Sequence, residues 1–320
     1  MSSRDTPKEA AGPQPQGDQK RPRVVGRIAS YLARPFLSDT HRRLGELWES
    51  VYNLQIELNR DIDRALTMIR HAYEEEPANR RRLYELRRSE EYKLAFTEDE
   101  PLVSFLVPTY TRYSTLGEVS LPSILDQTYS NIEVIVVGDC APAETERVIS
   151  QLGDPRVRYY NRTVRGPYPE DETRWYVVGT PPYNEALSQV RGRWIAALGD
   201  DDAVRPDHTE KLVRAAQENR WEHCYGRQLV QFSEGQKLEI GEFPPRSGQW
   251  GLQAAIYHAG LRFMELELTD ALYHEPNDWS LCRRMLRAGV SFGMIDDLVV
   301  DKHEARSAEE WAASRVPEIE

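Results

Sequence analysis

The chain has 320 residues, 40% of them hydrophobic and including 7 Trp and 16 Tyr, enough for one large α/β domain with an appendage or for two domains. Its net charge of −11 is uneven: residues 1–100 balance 18 basic against 18 acidic side chains, and the remainder carries 23 against 34. An acidic second part argues against a nucleic-acid partner and suits a protein that recruits divalent cations. No apolar run reaches the ~20 residues that a membrane span needs. Cys140, Cys224 and Cys282 lack metal-ligand spacing, which points to free thiols in a reducing, cytoplasmic compartment.

In chain order, residues 1–23 are rich in Pro, Gly, Gln and charge, lack an apolar signal core, and are expected to form a disordered tail. "VVGRIASYLARPF" (24–36) interleaves Val24, Ile28, Leu32 and Phe36 with Arg27 and Arg34. It either packs against the rest of the protein or lies on an anionic membrane, as a peripheral contact on the inner face would. From Ser38, Leu44, Leu47, Val51, Leu54, Leu58, Ile62, Leu66 and Ile69 recur at threes and fours and predict a long amphipathic helix. Such a stripe needs a partner surface, either another subunit of a homo-oligomer or the catalytic domain. A second charged helix is expected over 77–95, after Pro77, so the helical extension spans 24–100.

At Pro101 the period changes. Strands are expected at "LVSFLV" (102–107), "IEVIVVGD" (132–139), "RVRYY" (156–160) and the run beginning "RWIAAL" (193–198). Helices are expected at "LGEVSLPSILDQ", "AETERVISQL" and "PPYNEALSQVRG". This alternation predicts an α/β domain over 101–305, a mainly parallel sheet flanked by helices, followed by a tail over 306–320. Ligands bind at the carboxyl ends of strands in such sheets. Two of those ends carry polar punctuation here: Gly138-Asp139-Cys140, and Gly199 followed by Asp200, Asp201 and Asp202.

Three adjacent carboxylates repel one another and help neither a strand nor a core. A hard cation, Mn²⁺ or Mg²⁺, would use them to bridge to phosphate; a solvated turn capping the helix from about Pro206 is the alternative. Asp139 either accepts hydrogen bonds from a base or ribose, or caps the helix near Pro142. No glycine-rich fingerprint follows the first strand, "LVPTYTRYSTL", which weighs against NAD(P).

The stretch "VSFLVPTYTRYSTLGEVSLPSILDQTYSNIEVIVVGDCAP" resembles the opening of family 2 glycosyltransferases with the GT-A fold. "YNEALSQVRGRWIAALGDDDAVRPDH" is similar to that family's "RNxGLxxAxGxYIxFLDxDDxxxPD", and "HEPNDWSLCRRMLRAG" to its "GEDWDLWLRLxxAG". The resemblance covers about residues 101–305 and implies a Rossmann-like GT-A domain that moves a sugar from a nucleotide donor, a UDP-sugar foremost, to an acceptor hydroxyl. It implies that Pro108, Thr109, Tyr110 and Asn184 line the nucleotide-sugar site and that Asp139 reads the base. Asp200 and Asp201 would face the donor, Asp201, Asp202 and His303 would hold the metal, and Asp278 would be the base of an inverting reaction.

Three positions depart from the family pattern. Gly199 stands for the usual first aspartate, Asn277 for the glutamate before the base, and Tyr183 for an arginine, so that a phosphate contact moves to Arg162, Arg165 or Arg191. The stretch 162–180 is long and could cover the donor. In residues 248–268, Trp250, Tyr257 and Phe263 could stack on a sugar, while Leu252, Ile256 and Leu261 read as core. Asp278 could also cap the helix "WSLCRRMLRAG". Two other functions fit the pattern: a nucleotidyltransferase of related fold, for which "PTYTRYSTLGE" is a poor triphosphate loop, and an inactive GT-A domain used for binding.

Overall fold

The computed structural model describes residues 23–70, 75–304 and 306–309, with side-chain surroundings from Asp39 onward. The expected tails lie largely outside the described residues, as do the side chains of the amphipathic stretch 24–36. Contacts divide the chain into two units, Met1–Asp61 and Ile62–Glu320. Helix α1 (Arg23–Arg70) carries the predicted apolar row, and Leu44, Leu47, Val51, Leu54 and Leu58 on it are 47–63% exposed. No helix among the described residues is long and apolar enough to cross a membrane.

The sheet of the second unit starts with β1 (Val103–Thr109), β2 (Ile132–Gly138), β3 (Val157–Asn161) and β4 (Trp194–Ala197). These pair in parallel in the order β3-β2-β1-β4. β1 and β2 are near-continuous apolar runs because both of their faces are covered. Alternate side chains leave on opposite faces. Phe105, Val107, Val134 and Val136 join one core cluster, and Leu106, Ile135 and Val137 join the other.

The remaining strands are β5 (Ala203–Val204), β6 (His223–Phe232), β7 (Lys237–Ile240), β8 (Ala255–His258) and β9 (Phe292–Glu304). They extend the sheet as β8-β6-β9-β5, with β7 beside β6. β8 runs antiparallel to β4 and to β6, while β6 and β9 are parallel. The expectation of a mainly parallel sheet therefore holds for its first half, and the whole sheet is mixed. The reason is the connection: no α-helix lies between β6 and β8, and antiparallel neighbours need no crossover helix.

Helices cover both faces. α4 (Tyr113–Thr115) and α5 (Leu121–Leu125) are joined by a wider π turn, Leu116–Ser120. α6 (Ala143–Leu152) matches its predicted bounds and stops at Gly153, whose φ of 61° suits a residue without a side chain. α7 (Thr180–Ser188), α8 (His208–Asn219) and α9 (Asn277–Ala288) complete the set.

α2 (Glu76–Leu86) and α3 (Glu90–Thr97) also belong with the sheet, burying Leu83, Tyr92, Ala95 and Phe96. Their anchor is Glu222, fully buried at the start of β6. Its two oxygens accept from Arg87 Nε and Nη2 at 2.6 and 2.7 Å, and Tyr92 Oη and the Ser291 amide donate at 2.9 and 2.8 Å. Burial opposes the charge, and these donors, Arg87 foremost, nevertheless hold the carboxyl below its ordinary range.

Candidate active site

Strand register brings the first predicted residues together. Thr109 pairs with Gly138, the Asp139 amide donates to the Thr109 carbonyl at 2.8 Å, and the Leu198 amide donates to Leu106 at 3.0 Å. The residues just past β1, β2 and β4 therefore share one edge of the sheet, and two cavities open there. The first, of about 480 Å³, is lined by Pro108, Thr109, Tyr110, Asp139, Asp200, Asp201, Asp202 and His303. The second, of about 530 Å³, is lined by Asp278 among others. Pro108, Gly179, Gly199, Gln253 and Lys302 line both.

The three aspartates have three different environments. Asp200 is 8% exposed; its Oδ2 accepts from Thr109 Oγ1 at 2.8 Å. Burial raises its pKa against that bond. Asp201 pairs with Arg112 at 2.9 Å. Asp202 is 3% exposed, and its Oδ1 accepts from the His303 amide at 2.8 Å. Burial pushes its carboxyl up to about 7, with the charge of Lys302 opposing. His303 thus touches Asp202 through its backbone, and its side chain is exposed. Among the described residues no three His, Cys, Asp or Glu side chains are grouped to hold a metal. Asp201, Asp202 and His303 are neighbours in one cavity, not a closed cage, because Arg112 engages Asp201.

Gly199 explains how the turn closes. A Cβ there would meet Asp202 Oδ2 at 2.9 Å and Asp201 Oδ1 at 3.3 Å. The missing side chain is therefore room into which Asp202 folds. Gly199→Ala is expected to displace the Asp202 carboxylate and weaken Mn²⁺-dependent nucleotide binding about tenfold, about 1.4 kcal/mol, read by titration calorimetry. Unchanged affinity would show that the placement of Asp202 does not matter.

Asp139 is 3% exposed and occupied by the segment after β3. It accepts from Arg162 Nη1 at 2.8 Å, the Gly166 amide at 3.1 Å and Tyr168 Oη at 2.7 Å. The Arg165 guanidinium lies 3.8 Å from the centre of the Tyr110 ring, a cation–π contact. The long stretch after β3 thus sits over the first cavity in this structure. Asn184 is not brought to either cavity; its amide exchanges two bonds with the Leu266 backbone, at 2.9 and 3.1 Å. Tyr183 is buried and its hydroxyl meets that of Tyr257 at 2.7 Å, so Tyr257 is core and not a stacking platform.

α9 begins at Asn277, with Pro276 at the capping position, so Asp278 lies in the first turn and is not the cap. Asn277 Nδ2 donates to Thr180 Oγ1 at 2.8 Å, which ties this turn to α7. Asp278 Oδ1 accepts from the Trp279 amide at 2.7 Å. Burial raises its pKa, and Lys302 lowers it. Sequence reasoning missed Lys302, Arg112 and Tyr168. Lys302 stands beside the noted His303 in "VVDKHEARS", which was the available signal; the contacts of Arg112 and Tyr168 are tertiary and left none.

A profile described as "Glycosyl transferase family 2" matches residues 104–168 and 182–273. The chain belongs to glycosyltransferase family 2. This family 2 chain is 34% identical over 118 residues to the succinoglycan biosynthesis protein ExoO of Rhizobium meliloti, covering 36% of the chain and 30% of ExoO. It is 29% identical over 129 residues to the UDP-Glc:α-D-GlcNAc-diphosphoundecaprenol β-1,3-glucosyltransferase WfgD of Escherichia coli, covering 40% and 46%. The chain thus spans less than half the length of these relatives. Its GT-A fold is similar to that of S. aureus TarS 1–349 solved with UDP-GlcNAc, with a TM-score of 0.51, 16% identity, and 67% and 61% of the two chains covered.

Proposed function

We propose that this protein transfers a sugar from a nucleotide-sugar, foremost a UDP-sugar, to an acceptor hydroxyl with inversion at the anomeric carbon. The observation that carries the reading is the meeting of the two cavities at Gly199 and Lys302, with the acidic turn on one side and Asp278 on the other. The named substrates of WfgD and the UDP-GlcNAc bound to TarS support a nucleotide-sugar donor.

The residues have a division of labour. Asp278 accepts the proton of the acceptor hydroxyl on a carboxylate oxygen. Lys302, which lines both cavities, offsets negative charge on the diphosphate side. Asp201 and Asp202 fit a divalent cation, Mn²⁺ or Mg²⁺, because such ions take one or two carboxylates and complete their shell with phosphate oxygens and water. The buried carboxyl of Asp202, with a single backbone donor to its Oδ1, is the group such an ion would compensate. When bound, the ion supplies Lewis-acid neutralisation of the departing diphosphate. The buried thiols of Cys224 and Cys282, both free, support a reducing, cytoplasmic setting.

A thermal-shift panel of nucleoside diphosphates, each with and without Mn²⁺, tests the reading. UDP with Mn²⁺ is expected to stabilise the protein by about 2.7 kcal/mol at a hundredfold excess over Kd. No shift with any nucleotide would point to an inactive domain, and pyrophosphate as the product would point to nucleotidyl transfer.

A further inference from the structure

The second cavity holds more hydrogen-bonding capacity than the protein itself uses. Trp175, Tyr176, Trp250 and Trp279 line it, together with Gln228 and Gln253. Gln228 Oε1, Gln253 Oε1 and Trp250 Nε1 are all buried without a hydrogen-bond partner. Gln228 is 2% exposed and Trp250 6%, so bulk water does not reach them freely. A buried polar atom left unpaired costs free energy, and native proteins keep few of them. Three along one cavity wall point to a ligand that pairs with them.

The wall also has a shape. A Cβ on Gly251 would lie 2.5 Å from Gln228 Nε2 and 3.0 Å from Gln253 Oε1. The two amides therefore flank a bare stretch of backbone, and no side chain can come between them. The unpaired groups are neutral, and the charges nearby are paired: Glu304 meets Arg306 at 2.9 Å and Lys302 at 3.9 Å. An anionic ligand would find little unpaired positive charge here. A lipid chain would leave the three polar atoms unpaired.

We infer that this cavity takes a neutral saccharide as the acceptor, its hydroxyls pairing with Gln228, Gln253 and Trp250 and its C–H faces lying against the aromatic wall. Rigid aromatic surface with a few placed polar groups is what small-molecule sites use to fix orientation. The inference rests on the glycosyltransferase reading above and names that enzyme's acceptor class. In the step itself the acceptor oxygen bonds to the anomeric carbon of the donor. The bond from that carbon to the diphosphate breaks, its electron pair leaving on the diphosphate, and the hydroxyl proton goes to Asp278.

Saturation-transfer NMR on the full chain with UDP present tests this. The probes are methyl β-D-glucoside, methyl α-D-galactoside and a serine-containing tripeptide. At least one glycoside is expected to receive saturation and the tripeptide none. Gln228→Leu and Trp175→Ala are each expected to cut the glycoside signal about fivefold or more. Trp175 is 40% exposed, so its variant keeps the test valid if the buried glutamine variant does not fold. Bound UDP without glycoside binding, a preference for the peptide, or glycoside signals unmoved by the folded variants would each overturn the inference. Failure of UDP itself to bind would overturn the donor reading and this one with it.

Discussion

Asp278→Asn is expected to lower sugar transfer about a thousandfold, in the range that removal of a general base produces, while leaving the Mn²⁺-dependent UDP thermal shift within its wild-type value. The substitution keeps the size of the side chain and its acceptor oxygen for the Trp279 amide, so the fold should not report the change. The pH profile gives an independent check. Burial disfavours the Asp278 carboxylate and the nearby Lys302 favours it. Transfer by the wild type should therefore rise with pH on a limb above the ordinary aspartate range, ~3.9. Removing the cation by Lys302→Met should move that limb to higher pH. A limb that stays in place, or an Asp278→Asn enzyme with near-normal transfer, would assign the proton to another group. Retention of anomeric configuration in the product, seen by NMR, would do the same.

The second large effect concerns Asp202. Its carboxyl is pushed from an ordinary 3.8 up to about 7, chiefly by burial. A divalent ion needs the carboxylate, so protons compete below pH 7. The apparent Mn²⁺ affinity in the presence of UDP should fall toward tenfold per pH unit as pH drops. Asp202→Asn should abolish the Mn²⁺-dependent part of the UDP shift, about 2.7 kcal/mol at a hundredfold excess over Kd. The metal-free protein carries a separate signature. A folded pKa above the unfolded one contributes stability that is present below about 4 and lost as pH rises to about 7. The slope in that window should approach 1.4 kcal/mol per pH unit for this group. Asp202→Asn should flatten it and leave the variant more stable than wild type at pH 8. Urea melts from pH 5 to 8 that superimpose for the two proteins would remove the argument from burial.

The parts of this protein that its sequence by itself determined are those written in local periodicity. Alternation of apolar runs with ten-residue helical segments located β1, β2, β3 and β4. It placed α6 at its observed bounds, Ala143–Leu152, because a parallel strand covered on both faces has little choice of residues. Polar residues directly after such strands marked Asp139 and Asp200–Asp202 as the edge where a ligand binds.

Tertiary structure alone decided the rest. The second half of the sheet runs β8-β6-β9-β5, an order in which β6 pairs in parallel with β9, some sixty residues on, and antiparallel with β8; no local pattern encodes such pairings. Asn184 looked like a donor contact, yet its amide is used on Leu266. Lys302, distant in sequence from both aspartates, influences Asp202 and Asp278 alike. The physical reason is the same in each case. A side chain's charge state and partners depend on what the folded chain removes from water around it, and burial is a property of the whole fold.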